Sequence, residues 1–152
     1  MRHAFTLVEL IIVIVVLGIL AAMVVPKAIN AQQETALAAT AADLNAIENA
    51  LALYYSEHGS YPRDVNRRRV VSVLDPYFKS DNPFAKPAPI GGAYDYEGPP
   101  NWSPVQISIR SERQSNHSNE QAQELDTYMD NGDLSSGSIR RQGNRTYYII
   151  GE

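Results

Sequence analysis

Asp126, Asp130, Asn131 and Asp133 place four oxygen-bearing side chains in one short stretch, and a hard cation such as calcium takes oxygen ligands from a tight loop. Their spacing does not follow an EF-hand. The same residues also read as a polar helix end, with Asn131-Gly132 as the C-cap and Asp133 capping the next turn. Both readings stand on the sequence, with Asp126, Asp130 and Asp133 as the metal candidates. Elsewhere reactive chemistry is sparse. The chain has no cysteine, so neither a thiol nucleophile nor a thiolate zinc site can form. His3, His58 and His117 are isolated from one another, and each reads as a surface histidine. No G-x-S-x-G, phosphate-binding G-x-x-x-x-G-K or H-E-x-x-H occurs, so nothing at residue level supports an enzyme.

The second acid of interest is Glu9. From Phe5 to Val25 every residue is apolar or small except Thr6 and Glu9, and as a helix this run spans roughly 30 Å, the thickness of a hydrocarbon core. A secretory signal peptide has a shorter apolar region of about 7–15 residues and no acid near its start, although Ala21 and Ala22 could serve a cleavage site. A plain membrane anchor leaves Glu9 unexplained, because an ionised acid in a bilayer is expensive unless partnered. Glu9 lies four residues beyond Phe5, hence on the same helix face.

Met1-Arg2-His3-Ala4 followed by Phe5-Thr6-Leu7-Val8-Glu9-Leu10 resembles the class III signal of type IV pilins and type II secretion pseudopilins: a short basic leader, then F-T-L-x-E-L opening a long apolar helix. Pro26 falls where that family has its mid-helix proline, and the Gly59-Ser60-Tyr61-Pro62 exit is similar to the family's. The resemblance covers roughly the first 60 residues. It implies cleavage by a prepilin peptidase between Ala4 and Phe5, with methylation of the new Phe5 amine. Alanine at position 4 departs from the family's usual glycine and implies slower processing. The resemblance also implies that the Glu9 carboxylate meets the Phe5 ammonium of a neighbouring subunit, removing two desolvation penalties together and fixing axial register. Major pseudopilins bind calcium near the C-terminal end, which bears on Asp126, Asp130 and Asp133.

The elements that position these residues follow from periodicity. After Pro26 no glycine or proline occurs until Gly59, and Leu37, Ala41, Leu44, Ile47, Leu51, Tyr54 and Tyr55 recur at helical steps, with Glu34, Asp43, Glu48 and Glu57 between them. One helix of about 50 residues, roughly 80 Å, is expected, half anchor and half spine. Pro26 removes a backbone donor and crowds the carbonyl of Ala22, so a bend or local melting is expected between Gly18 and Pro26. Val70–Leu74 reads as a short helix or turn, and Asp81–Pro87 as extended loop. Strands are expected at 93–96, 105–109 and 146–150. Ser118-Asn119-Glu120-Gln121 is a capping box, and Ala122, Leu125, Tyr128 and Met129 form the stripe of a second helix ended by Asn131-Gly132.

The expected fold is α+β and pilin-like: a long N-terminal helix packed on a small antiparallel sheet of about three strands. The domains are a leader at 1–4, a transmembrane and assembly helix at 5–26, and a globular domain at 27–152. The implied function is a structural filament subunit, a pseudopilin of type II secretion or a related pilus machine. It implies a homopolymer joined by other pseudopilins or minor pilins, an inner-membrane assembly platform, membrane lipid around the anchor, and a globular part outside the cytoplasm. The alternative is a minor type IV pilin that binds DNA or a surface. Arg67-Arg68-Arg69 and Arg140, Arg141 and Arg145 are its basic clusters, but no aromatic residues are interleaved for stacking. A net charge of −4 likewise gives no support to a nucleic-acid partner.

Overall fold

A computed structural model describes residues 7–64, 71–79, 81–111 and 117–150, with side chains left undescribed within 23–30. Ala4, Phe5 and Arg67-Arg68-Arg69 therefore lie outside the described residues. Two compact units are distinguished, Met1–Thr35 and Ala36–Glu152.

Helix α1 runs Leu7–His58, close to the expected span. The helical assignment continues through both Gly18 and Pro26, so the expected local melting between them is not found. Continuing neighbours hold the turn while proline forfeits one donor. The helix stops at Gly59, whose φ of +69° a glycine adopts at no steric cost and whose amide closes on the Tyr55 carbonyl at 2.8 Å.

In the larger unit the second half of α1 presents Ala41, Leu44, Ile47 and Leu51, all buried, to a four-stranded antiparallel sheet. Leu37 and Tyr54 pack at the margin of this core, but Tyr55 is 47% exposed and leaves the apolar stripe. The strands are β1 Ala93–Glu97, β2 Val105–Arg110, β3 Ile139–Gln142 and β4 Arg145–Ile150, in spatial order β1-β2-β4-β3. Val105, Ile107 and Ile109 alternate inward as expected, and pair with Ile150, Tyr148 and Thr146 of β4.

β3 is the strand that the sequence reading missed. Ile-Arg-Arg-Gln carries one apolar residue, so period-2 hydrophobicity is too short to see. Its place on the sheet edge allows that polarity. The Gly143-Asn144 turn joining it to β4, with Gly143 at φ +61°, was the available signal, because a glycine pair of this kind between two extended runs marks a tight hairpin. A 3₁₀ turn at Ser72–Tyr77 overlaps the expected short helix or turn, and a second, Pro83–Ala85, interrupts the expected extended loop. Helix α2, Asn119–Met129, begins with the expected capping box: Ser118 Oγ accepts from the Gln121 amide at 3.1 Å, and the Gln121 side chain accepts from the Ser118 amide at 2.8 Å.

Candidate functional site

The first candidate is the surface of α1 within the smaller unit. All described side chains from Leu7 to Ala22 are exposed, Glu9 among them. Leu7 is 74% and Leu20 54% exposed, with the intervening Val, Leu and Ile residues similar. A helix that is apolar all round belongs against other helices or lipid. Among the described residues no helix is long and apolar enough to cross a membrane. The described side chains of the run end at Ala22, while the sequence continues apolar to Val25.

The second candidate is the joint between the spine and the sheet, which the sequence did not reveal. The acids expected merely to alternate with the apolar stripe reach into it. Asp43 is 9% exposed, accepts from Tyr94 Oη at 3.2 Å and pairs with Lys86 Nζ at 2.9 Å. Five residues on, Glu48 accepts from Tyr148 Oη at 2.6 Å. Burial and these carboxylates both raise the Tyr94 and Tyr148 pKa values, so the phenols stay protonated donors. Thr40 Oγ1 accepts from the Ile90 amide at 3.2 Å, giving α1 a third polar tie to the fold. Such side-chain ties set the angle and register of helix on sheet, which apolar contact alone leaves loose.

The third is the loop after α2. Asp126 is completely buried, and neither carboxylate oxygen has a hydrogen-bond partner. Burial, then the charges of Asp130 and Asp133, raise its pKa. Asp130 Oδ2 is committed elsewhere: it accepts from the Ser138 amide at 2.6 Å and the Ile139 amide at 3.2 Å, tying the loop to β3 and lowering its pKa. Asp133 accepts from the amide and hydroxyl of Ser135 and the hydroxyl of Ser136, which lowers its pKa too. Among the described residues no three His, Cys, Asp or Glu side chains stand together to hold a metal. The predicted calcium set of Asp126, Asp130 and Asp133 is therefore not assembled: two of its members are spent on turn amides and serines. Both oxygens of Asp126 are left without a hydrogen-bond partner.

His117 corrects another expectation. It is 2% exposed, not a surface group. Its ring bridges Ser111 Oγ at 3.3 Å and Thr146 Oγ1 at 2.8 Å. Burial and the charge of Arg141 hold its pKa down at about 4, so the imidazole is neutral at physiological pH. His58, by contrast, is exposed and stacked on Tyr54. The arginines expected as one basic cluster are divided. Arg145 pairs with Glu97 at 3.0 Å, Arg141 donates to Thr146 Oγ1 at 3.1 Å, and Arg140 donates to the Gly137 carbonyl at 2.9 Å.

The architecture is that of a type IV pilin. The major type IV pilin PilA1 from Clostridium difficile superposes with a TM-score of 0.58 over 81% of this chain and 98% of that one, at 18% identity. Residues 1–25 match the prokaryotic N-terminal methylation motif. The similar curated proteins are type II secretion system core protein G. The one from Pseudomonas aeruginosa is 38% identical over 61 residues, 40% of this chain and 43% of that protein. That from Klebsiella pneumoniae is 34% identical over 92 residues, 60% of this chain and 62% of that protein. The Vibrio cholerae protein is 40% identical over 61 residues, 40% of this chain and 42% of that protein. The chain thus spans less than two thirds of the length of the curated relatives it matches.

Proposed function

We propose that this chain is a pseudopilin: a non-enzymatic, filament-forming subunit of a type II secretion system or a related type IV pilus machine. In this reading 5–26 anchors it in the bacterial inner membrane as a single span, and the globular part lies outside the cytoplasm, in the periplasm of a two-membrane cell. A prepilin peptidase cuts between Ala4 and Phe5 and methylates the Phe5 amine. Copies then leave the bilayer through an inner-membrane assembly platform and join one another and other pseudopilins.

The observation that carries this reading is the apolar helix surface from Leu7 to Ala22, exposed on every side and interrupted only by Glu9 near its start. Lipid can cover such a surface before assembly and neighbouring copies of the same helix after it. Glu9 is one turn beyond Phe5, where its carboxylate can meet the terminal ammonium of the next subunit and set axial register. The pairing of Arg145 with Glu97 takes one charge out of the basic cluster on which a nucleic-acid-binding minor pilin would rely.

The test is the Glu9→Leu variant of the full chain. Without the acid, membrane insertion becomes easier by about 2–3 kcal/mol at the centre of a span and less near its end, while the intersubunit pairing is deleted. Fractionation should find the variant in the inner membrane, with sheared filaments lost. Mass spectrometry of the wild-type protein should find a methylated Phe5 at its N-terminus. A normal filament yield from Glu9→Leu, or a mature chain starting at Met23, would remove the assembly role.

A further inference from the structure

The outer face of the sheet, turned away from α1, carries two clefts that share one wall. The loop between β1 and β2 folds over this face and carries Trp102, which is 41% exposed although it is the largest apolar side chain of the protein. On one side of the indole is a cleft of about 400 Å³ whose walls include Asp64, Asn101 and Glu97. The second, of about 360 Å³, includes Gln106, Gln142 and Tyr147 together with Arg140 and Arg141. Both fall in the size range of small-ligand sites.

The loop is held in place. The Trp102 amide donates to the Gly98 carbonyl at 3.1 Å, and the Asp64 amide donates to the Pro99 carbonyl at 2.8 Å. Gly98 lies directly on the Tyr96 ring, where a Cβ would collide with the phenol. The backbone that carries the indole is thus held in place over the sheet. In the charged floor beside it Asp95 pairs with Arg110 and Glu97 with Arg145, each at 3.0 Å, and Ser108 Oγ donates to Glu97 at 3.1 Å. Burial raises the pKa of Asp64, and the hydrogen bond from Asn101 offsets only part of that rise.

We propose that these two clefts, with Trp102 as their shared wall, bind an oligosaccharide chain. An aromatic face flanked by planar amide and carboxylate groups matches a sugar ring, which has an apolar C–H face and a rim of hydroxyls that both donate and accept. Two clefts on either side of one platform favour a chain over a single sugar.

The experiment uses the full chain in a zwitterionic detergent that has no sugar headgroup. Trp102 is the only tryptophan, so its fluorescence reports on the site directly. Cellohexaose, maltohexaose and chitohexaose are titrated in turn. At least one should give a saturable spectral shift with a Kd on the order of 1 mM or tighter. Raising the salt from about 50 to about 500 mM should change that Kd by less than about twofold, because the three sugars carry no charge. Gln106→Ala and Gln142→Ala, which keep the fluorophore, should each weaken it about fivefold through one lost hydrogen bond. Saturation-transfer NMR should find no binding to Trp102→Ala.

Absence of a saturable shift with all three sugars at about 10 mM would overturn the proposal. So would undiminished binding to Trp102→Ala or to both glutamine variants. A response confined to heparin or single-stranded DNA and abolished by salt would overturn it as well, since that identifies an ionic site.

Discussion

Asp126 is the residue at which this fold stores its clearest electrostatic cost, and Asp126→Asn should release it. The carboxyl is completely buried on α2, both oxygens lack partners, and the nearby charges of Asp130 and Asp133 oppose its ionisation. A carboxyl whose folded pKa is raised contributes full stability below its unfolded value of 3.8 and loses that contribution as pH rises through the folded value. Asp130 and Asp133 have lowered values and act in the opposite sense, losing stability as pH falls. The raw pH profile therefore mixes the two signs, whereas the difference between wild type and Asp126→Asn isolates the buried carboxyl. A buried charged acceptor without partners costs about 1–3 kcal/mol, so the variant should be more stable than wild type by about that amount at neutral pH. For a domain of this size the melting temperature should rise by roughly 4 °C per kcal/mol. The difference should vanish near pH 3.8, the unfolded value below which wild type is itself protonated. Urea unfolding followed by Trp102 fluorescence measures both arms, each run with excess calcium and with chelator. The curves should be the same in the two buffers, because Asp130 and Asp133 are committed to amides and serines. Asp126→Asn less stable than wild type at neutral pH would refute the reasoning. Calcium stabilising the wild type by RT ln(1 + [L]/Kd) and not the variant would also refute it, and would return the ion to this loop.

Other substitutions test the frame that holds the candidate surfaces. Tyr148→Phe removes the 2.6 Å bond to Glu48 and should cost about 1–2 kcal/mol, read as a lower urea midpoint. Tyr94→Phe should cost less, since its 3.2 Å bond is longer and Asp43 keeps Lys86. The reverse order would deny these phenols their part in seating the spine. Gly92→Ala should lower stability by about 3 kcal/mol or more, because Gly92 has φ +90° and a Cβ there would lie 2.5 Å from the Arg110 carbonyl oxygen. An unchanged melt for that variant would mean the β1 turn is free to move.

The elements legible from sequence were those whose signals are local. The apolar run from Phe5, the stripe Leu37–Leu51, the Gly59 stop and the Ser118 capping box each rest on residues within one or two turns of one another, so short windows contain the whole physical reason. The same holds for the N-terminal resemblance, which lies in contiguous residues. What the windows could not hold was pairing at a distance. Strand β3 forms because Ile139–Gln142 meets β4 across a two-residue turn, and its arginines are tolerable only because it is an edge. Asp43 and Glu48 looked like the solvent side of a helix, yet tyrosines about fifty and a hundred positions away reach them. His117 is buried for a similar reason: Ser111 and Thr146 supply the partners that make a neutral imidazole affordable inside. At Asp130 and Asp133 the sequence could count oxygens but not say where they point. Only the approach of Ser138, Ile139 and the loop serines committed those oxygens, leaving Asp126 buried without partners. Trp102 stayed exposed because the β1–β2 loop is fixed over the outer face. Periodicity along the chain thus settled which segments are helical and apolar, and three-dimensional pairing settled which polar groups are buried, satisfied or left open to a partner.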